Sequence, residues 1–206
     1  MKGNILKGVE QYYSDKIILH GDSAQGVDWN STDSQYLRFD QLRKLFDLQN
    51  NFSLLDYGCG SGEFVTYFDK LNLKQDFKYF GFDVSEPMLE ISKNKQRDNV
   101  LFNNVLPVDK IDFTIASGLF NVKLNLASEV QWFDYIIDTI NEFNSISEKG
   151  FAFNALTKYS DKEFMKDYLY YSDPLLLFDY CKRNFSKNVA LLHDYNLYEF
   201  TIIVRK

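Results

Sequence analysis

Short apolar runs alternate along this chain with longer stretches in which apolar residues recur at helical spacing. A short apolar run bounded by glycine or polar residues predicts a buried strand, and a period near 3.6 predicts an amphipathic helix. In the stretch 128–148, for example, Trp132, Ile136 and Ile140 share one helical face. The pattern predicts strands near 53–57, 79–83, 100–103, 112–116 and 151–156. It predicts helices over 4–18 and 128–148, one helix that begins at Thr32, two that end near 68 and 95, and one that begins at Asp173-Pro174.

The last two apolar runs, 189–194 and 199–205, are separated by Tyr195-Asn196-Leu197 and predict a hairpin. Before them, strands alternate with helices, which indicates a parallel sheet covered by helices on both faces. The sequence therefore predicts an α/β fold: a doubly wound sheet of about seven strands, mostly parallel, with an antiparallel C-terminal strand. Thr32 with Gln35 predicts a capping box at a helix start, and Gly150 is expected to end the helix over 128–148.

The first predicted strand runs into a glycine-rich turn, Asp56-Tyr57-Gly58-Cys59-Gly60-Ser61-Gly62. Glycines allow the backbone to approach a ligand closely, and the N–H groups of the following helix face the same point. Asp83 lies 21 positions later (83 minus 62), at the end of the next strand, where a carboxylate can bind two ribose hydroxyls. A dinucleotide-binding turn requires glycine where this chain has Glu63, and Asp56 would repel a pyrophosphate. The turn instead suits a ligand that carries positive charge, such as an ammonium group.

Together with Phe80-Gly81-Phe82-Asp83-Val84-Ser85-Glu86-Pro87-Met88, this turn resembles the motifs of class I S-adenosylmethionine-dependent methyltransferases. The resemblance covers about residues 36–206 and includes the strand ending at Ser117-Gly118-Leu119-Phe120. It implies a Rossmann-like fold, S-adenosylmethionine as the cofactor and S-adenosylhomocysteine as the product. It also implies that Asn103 or Asn104 accepts a hydrogen bond from the adenine amino group. The other cofactor-binding residues that it implies are Asp56, Gly58, Cys59, Gly60, Gly62, Asp83, Val84, Met88 and Ser117.

Two segments are extra to the predicted sheet, and the topology places both at its carboxyl edge. We expect residues 1–31 to form a cap and residues 158–173 a lid over the cofactor, within a single domain of residues 1–206. Tyr12, Tyr13 and Trp29 could wall the methyl site, where a sulfonium gains cation–π attraction. Alternatively, these aromatic residues simply cover the edge of the sheet.

Four polar residues are further candidates. Arg38 could hold the cofactor carboxylate by a forked pair, or it could be a solvated surface charge. Asn121 and Lys123 follow the fourth strand toward the lid and are candidates for contacting the substrate. His20, in the cap, is the better candidate for a catalytic base, because His193 falls on a predicted strand.

Composition and charge narrow the partners. The 206 residues carry a net charge of −6 without a dense Lys/Arg run, which argues against a nucleic acid substrate. No apolar run reaches the roughly 18 residues of a transmembrane helix. The two cysteines, Cys59 and Cys181, require no disulfide and suit a reducing cytoplasm, and no Cys/His cluster has metal-ligand spacing.

The sequence thus predicts an enzyme that transfers a methyl group to a small molecule by direct displacement. The segment Ser117-Gly118-Leu119-Phe120 differs from the N-P-P-Y box of enzymes that methylate base or amide nitrogens, so those substrates are disfavoured. A protein or nucleic acid acceptor stays open within the same class. A non-catalytic binder of the cofactor is the alternative, and a nicotinamide-dependent oxidoreductase is disfavoured by Glu63 and Asp56.

Overall fold

A computed structural model describes residues 2–23, 25–29, 31–46, 51–71 and 77–206. Strands and helices alternate through most of this part of the chain, as the hydrophobic pattern predicts. The helices are α1 (Lys2–His20), α2 (Thr32–Leu42), α3 (Glu63–Lys70), α4 (Glu86–Ser92), α5 (Glu129–Ile146) and α6 (Pro174–Asn184). The strands are β1 (Phe52–Tyr57), β2 (Phe77–Phe82), β3 (Val100–Asn103), β4 (Ile111–Ala116), β5 (Ser147–Leu156), β6 (Asn188–Leu192) and β7 (Glu199–Arg205).

The seven strands form one sheet in the order β3-β2-β1-β4-β5-β7-β6. Pairing is parallel from β3 through β5, and β7 is antiparallel to both of its neighbours. The predicted sheet, with its antiparallel C-terminal strand, is therefore confirmed. The strand order reverses between β1 and β4, and ligands of open α/β sheets bind beyond the carboxyl ends of the strands at such a point.

Two apolar clusters pack on opposite faces of this sheet. Neighbouring residues of β5 separate between them, because successive side chains of a strand point to opposite faces: Ala152 belongs to one cluster and Phe153 to the other. The first cluster contains residues of α2, α3 and α4, and the second contains residues of α5 and α6. Helices thus cover both faces of the sheet, and the carboxyl ends of its strands are where a ligand is expected to bind.

Two predicted helix boundaries are wrong. The N-cap of α2 is Ser31, whose Oγ accepts a hydrogen bond from the Ser34 backbone N–H at 3.1 Å, rather than Thr32. Helix α5 does not end at Gly150, because the chain passes directly into β5 at Ser147. Gly150 lies within β5, where a Cβ atom would stand 2.2 Å from the Val204 carbonyl oxygen. That glycine permits close strand packing instead of terminating a helix.

The segment 158–173 carries one short 3-10 turn, Lys162–Phe164, and is joined to the chain that follows β4. The Tyr170 backbone N–H donates to the Asn121 carbonyl at 2.8 Å, and the Lys123 N–H donates to the Tyr168 carbonyl at 3.1 Å. These hydrogen bonds hold the segment beside the carboxyl end of β4. No helix in the part of the chain that the structure describes is long and apolar enough to cross a membrane.

Candidate active site

The glycine turn, residues 58–62, folds over the end of β2. Backbone N–H groups of Gly58 and Cys59 donate to the Phe82 carbonyl at 2.7 and 3.0 Å. The Gly60 N–H donates to Asp83 Oδ2 at 2.8 Å. Gly60 has φ +54°, a left-handed conformation that a glycine adopts without a Cβ penalty. The turn and Asp83 are therefore one hydrogen-bonded unit at the carboxyl edge.

Asp83 also connects this unit to two helices. Its Oδ1 accepts a hydrogen bond from the Ser85 N–H at 2.9 Å, and Ser85 is the N-cap of α4. The Oγ atoms of Ser85 and Ser14 lie 2.8 Å apart, which fastens α1 to the same point. Burial raises the pKa of Asp83, and its backbone hydrogen bonds partly oppose that rise. These hydrogen bonds thus fix the carboxylate in one position beside the glycine turn.

A cavity of about 170 Å³, here called the glycine-turn cavity, lies between this unit and α1. Helix α1 contributes Leu6, Val9, Glu10 and Tyr13 to its wall. Most of the residues proposed from the sequence for the cofactor, and two of those proposed for the substrate, meet in its lining: Asp56, Gly58, Cys59, Gly60, Asp83, Val84, Met88, Ser117, Tyr13 and Trp29.

Asp56 lies at the base of the glycine-turn cavity and is 4% exposed. Burial raises the pKa of its carboxyl to about 7, although the hydrogen bond from Tyr79 Oη, at 2.6 Å, acts in the opposite direction. The charge of Asp83 contributes to the rise. A cationic ligand group would favour the ionised form of Asp56.

A second cavity, of about 450 Å³, adjoins the first and is here called the aromatic cavity. Tyr13, Val27 and Trp29 line both cavities. The segment 158–173 supplies much of the remaining wall, including Phe164, Tyr168 and Tyr171. The two cavities therefore meet at an aromatic junction, and residues of the segments 27–29 and 158–173 supply much of the wall of the second.

Arg38 lines the aromatic cavity, and its forked pair is made with Glu199. Nε donates to Glu199 Oε2 at 2.8 Å and Nη2 donates to Oε1 at 3.0 Å, while Nη1 donates to the Ser34 carbonyl at 2.7 Å. The predicted pairing of Arg38 with the cofactor carboxylate is corrected, because the edge of the guanidinium that would make it already binds Glu199. Its face lies 4.1 Å from the ring centroid of Trp29, so the pair supports the junction.

Besides Arg38, three cofactor candidates lie outside the glycine-turn cavity. Gly62 is the N-cap of α3, with φ +78°, and a Cβ there would stand 2.8 Å from the Phe102 ring; it allows the helix to pack closely. Asn103 and Asn104 are exposed, and Asn103 Oδ1 accepts a hydrogen bond from the Val105 N–H at 3.3 Å. The structure does not bring these three residues to the cavity, because Gly62 packs against Phe102 and the side chains of Asn103 and Asn104 are exposed.

Some of the residues predicted to contact the substrate or to act as a base also lie outside the two cavities. Asn121 lines the aromatic cavity, where its Nδ2 lies 3.4 Å from Glu199 Oε1. Lys123 does not, because its buried Nζ pairs with Glu129 Oε1 at 3.2 Å. Tyr12 lies behind the wall and donates to Asp28 Oδ2 at 2.8 Å. His20 ends α1 in solvent, outside both cavities, so its expected role as a base is corrected.

Sequence reasoning missed four acidic residues of the two cavities, one of which is Glu63 in the glycine-turn cavity. Glu10 lines the glycine-turn cavity, and Asp28 and Glu199 line the aromatic cavity. Asp28 lies next to Trp29 in the polar segment after α1, so its position beside a candidate residue was a usable signal. Glu199 is 161 positions from Arg38, and no local spacing relates them.

Comparison with known proteins decides the family. A family model described as a methyltransferase domain matches residues 31–148, more than half of the chain. A Mycobacterium tuberculosis protein named "Putative methyltransferase Rv1506c" is 45% identical over 166 residues, which cover 79% of this chain and 98% of that relative. The chain belongs to the class I S-adenosylmethionine-dependent methyltransferases.

Solved structures agree with the fold of this methyltransferase. The structure titled "DhpI-SAH complex structure" aligns with a TM-score of 0.63 at 11% identity, covering 98% of this chain and 96% of its own. A magnesium protoporphyrin IX methyltransferase from Synechocystis PCC 6803, with bound SAH, aligns with a TM-score of 0.58 at 12% identity, covering 99% and 86%. The methyltransferase uses S-adenosylmethionine as its cofactor.

The glycine-turn cavity fits this cofactor. Apolar side chains such as Val84 and Met88 stand beside the carboxylates of Asp56 and Asp83. An apolar wall suits a purine base, the Asp83 carboxylate suits ribose hydroxyls, and negative charge suits a ligand with ammonium and sulfonium groups.

Proposed function

We propose that this methyltransferase transfers the methyl group to a small molecule held in the aromatic cavity. The observation that carries the proposal is that a cavity of about 450 Å³ shares Tyr13, Val27 and Trp29 with the glycine-turn cavity. A small molecule bound there would face the cofactor across this junction. In this proposal the segment 1–31 is a cap, the segment 158–173 is a lid, and the two belong to one domain with the sheet.

S-adenosylmethionine, when bound, supplies a methyl carbon that is already electrophilic because sulfur carries a positive charge. The protein then has to align the acceptor and exclude water, and both effects lower the barrier. Trp29 is suited to this task because its ring is held between Arg38, at 4.1 Å, and Gly118. A Cβ on Gly118 would stand 2.6 Å from that ring, so the glycine allows the close approach.

Asp28 is the residue that we propose to accept the proton of the acceptor. It lines the aromatic cavity beside Trp29, and its backbone has φ +63°, which is uncommon for a residue with a Cβ. The carboxylate is held by Tyr12 Oη and Lys16 Nζ, each at 2.8 Å. Asp28 would take the proton that the acceptor oxygen or nitrogen loses when it is methylated.

The size of the aromatic cavity favours an enzyme over a non-catalytic binder of the cofactor. A binder needs only the glycine-turn cavity, whereas this chain also builds a second cavity of about 450 Å³ against it. We also propose a reducing compartment, the cytoplasm, since Cys59 and Cys181 are both free and buried.

Incubation of the protein with methyl-labelled S-adenosylmethionine and a fractionated cell extract tests the proposal. We expect label in the low-mass metabolite fraction, much less with Asp28→Asn, and a reduced yield with Asp83→Asn when S-adenosylmethionine is kept below the Kd of the native protein. The variant Asp15→Asn is the matched control, because it makes the same charge change on the exposed face of α1. Label confined to the protein or RNA fraction would refute a small-molecule acceptor.

A further inference from the structure

The glycine-turn cavity carries an unbalanced charge. Four acidic residues line it, Glu10, Asp56, Glu63 and Asp83, and no Lys, Arg or His is among its described lining residues. Three of the four acids have hydrogen-bond donors within the protein. Tyr79 donates to Asp56, Tyr36 donates to Glu63, and backbone N–H groups donate to Asp83.

Glu10 differs from the other three. It lies on α1, outside the residues that match the family model, and makes no hydrogen bond or ion pair with a side chain of the described residues. Helix α1 presents Leu6, Val9, Glu10 and Tyr13 to the cavity, as expected for positions three to four apart on one helical face.

The placement of α1 fixes where this charge acts. The Ser14 Oγ atom lies one turn beyond Glu10 and 2.8 Å from Ser85 Oγ, and Ser85 in turn binds Asp83. Glu10 is near enough to Asp83 for its negative charge to help raise the pKa of that carboxyl. A cation in the cavity would therefore be attracted by Glu10 as well as by Asp83.

We propose that Glu10 makes this cavity select S-adenosylmethionine over S-adenosylhomocysteine. The two compounds differ by one methyl group and one positive charge, and the described residues that line the cavity include four acids and no cation. Transfer of the methyl group removes the positive charge, so the product loses an attraction that the cofactor has. The inference rests on the cofactor assignment, and it holds whichever acceptor the enzyme uses.

Calorimetric titration of the whole chain with S-adenosylmethionine, S-adenosylhomocysteine and the amine analogue sinefungin tests this inference. Sinefungin carries a protonated amine in place of the sulfonium methyl, so it separates charge from methyl contact. We expect Glu10→Gln to weaken S-adenosylmethionine and sinefungin about 3- to 10-fold and S-adenosylhomocysteine less than about twofold. Asp15→Asn, the same charge change on the outer side of α1, should leave the ratio of the affinities unchanged.

An unchanged affinity ratio in Glu10→Gln, or an equal loss for all three compounds, would overturn the inference. Added salt gives a second test without any substitution: it should weaken S-adenosylmethionine more than S-adenosylhomocysteine, and equal weakening would also overturn it. Neither result affects the labelling experiment. Conversely, label confined to protein or RNA would refute the small-molecule acceptor and leave the role of Glu10 standing.

Discussion

Replacement of Arg38 by methionine separates the cofactor role that the sequence predicts for this residue from the structural role that its pair with Glu199 indicates. The structure gives Arg38 a buried partner, because both residues of the pair are nearly inaccessible, at 7% exposure for Arg38 and 1% for Glu199. Three guanidinium nitrogens are engaged, two by Glu199 and one by the Ser34 carbonyl. Arg38→Met should therefore lower the stability of the protein and have little direct effect on cofactor affinity.

The loss of stability follows from the Glu199 carboxylate, which stays buried without its partner in Arg38→Met. Removing one partner of a buried ion pair costs about 3–5 kcal/mol, because the remaining charge is buried without compensation. For a domain of about 200 residues, each kcal/mol lowers Tm by about 2–4 °C, so a fall of about 6–20 °C is expected. The double variant Arg38→Met/Glu199→Gln leaves no buried charge and should recover more than half of this loss.

Thermal and urea unfolding monitored by tryptophan fluorescence measure the stability, and titration with S-adenosylhomocysteine well below Tm measures the affinity. Arg183→Gln is the control, because its pair with Asp179 is exposed and should contribute little. If Arg38→Met kept its Tm but lost S-adenosylhomocysteine binding, Arg38 would be a cofactor ligand and the structural role would be refuted.

Two further substitutions test the packing of the glycine turn at Gly62 and the buried carboxyl group of Asp56. Gly62→Ala should destabilise the protein by roughly 2–4 kcal/mol, because a Cβ at φ +78° would stand 2.8 Å from the Phe102 ring. In urea unfolding, Gly21→Ala should cost less, since it has φ +63° with nothing within 4 Å; equal costs would contradict the packing argument. Asp56 has its pKa raised to about 7, so the folded state keeps a proton that the unfolded state loses near pH 4, and the stability from this group falls as pH rises from about 4 to 7. Asp56→Asn should flatten this decline in urea unfolding between about pH 4 and 7, and an unchanged slope would show that Asp56 is not its source.

The local sequence pattern was enough to predict structural features that depend only on residues close to one another in the chain. The strands, the glycine turn and Asp83 follow from short apolar runs and from backbone requirements within a few residues. Ser85 caps α4 for the same reason, because its Oγ accepts the N–H of Met88, three positions on.

Features set by distant residues could not be predicted in this way. Arg38 and Glu199 are 161 positions apart, and the burial that makes them a pair exists only after β7 has joined the sheet. Lys123 points toward the solvent-exposed Glu129 at the start of α5 rather than toward the lid. The α5–β5 boundary was predicted wrongly because Gly150 is needed for close packing against Val204 on β7 and not for ending the helix.

The most direct test of the cofactor site is calorimetric titration of S-adenosylhomocysteine into the native protein and into Asp83→Asn, with Asp15→Asn as control. The account predicts one binding site in the native protein and a loss of about 1–3 kcal/mol, or about 5- to 150-fold in affinity, in Asp83→Asn alone. Equal affinities for all three proteins would contradict the assignment of the glycine turn and Asp83 as the cofactor site.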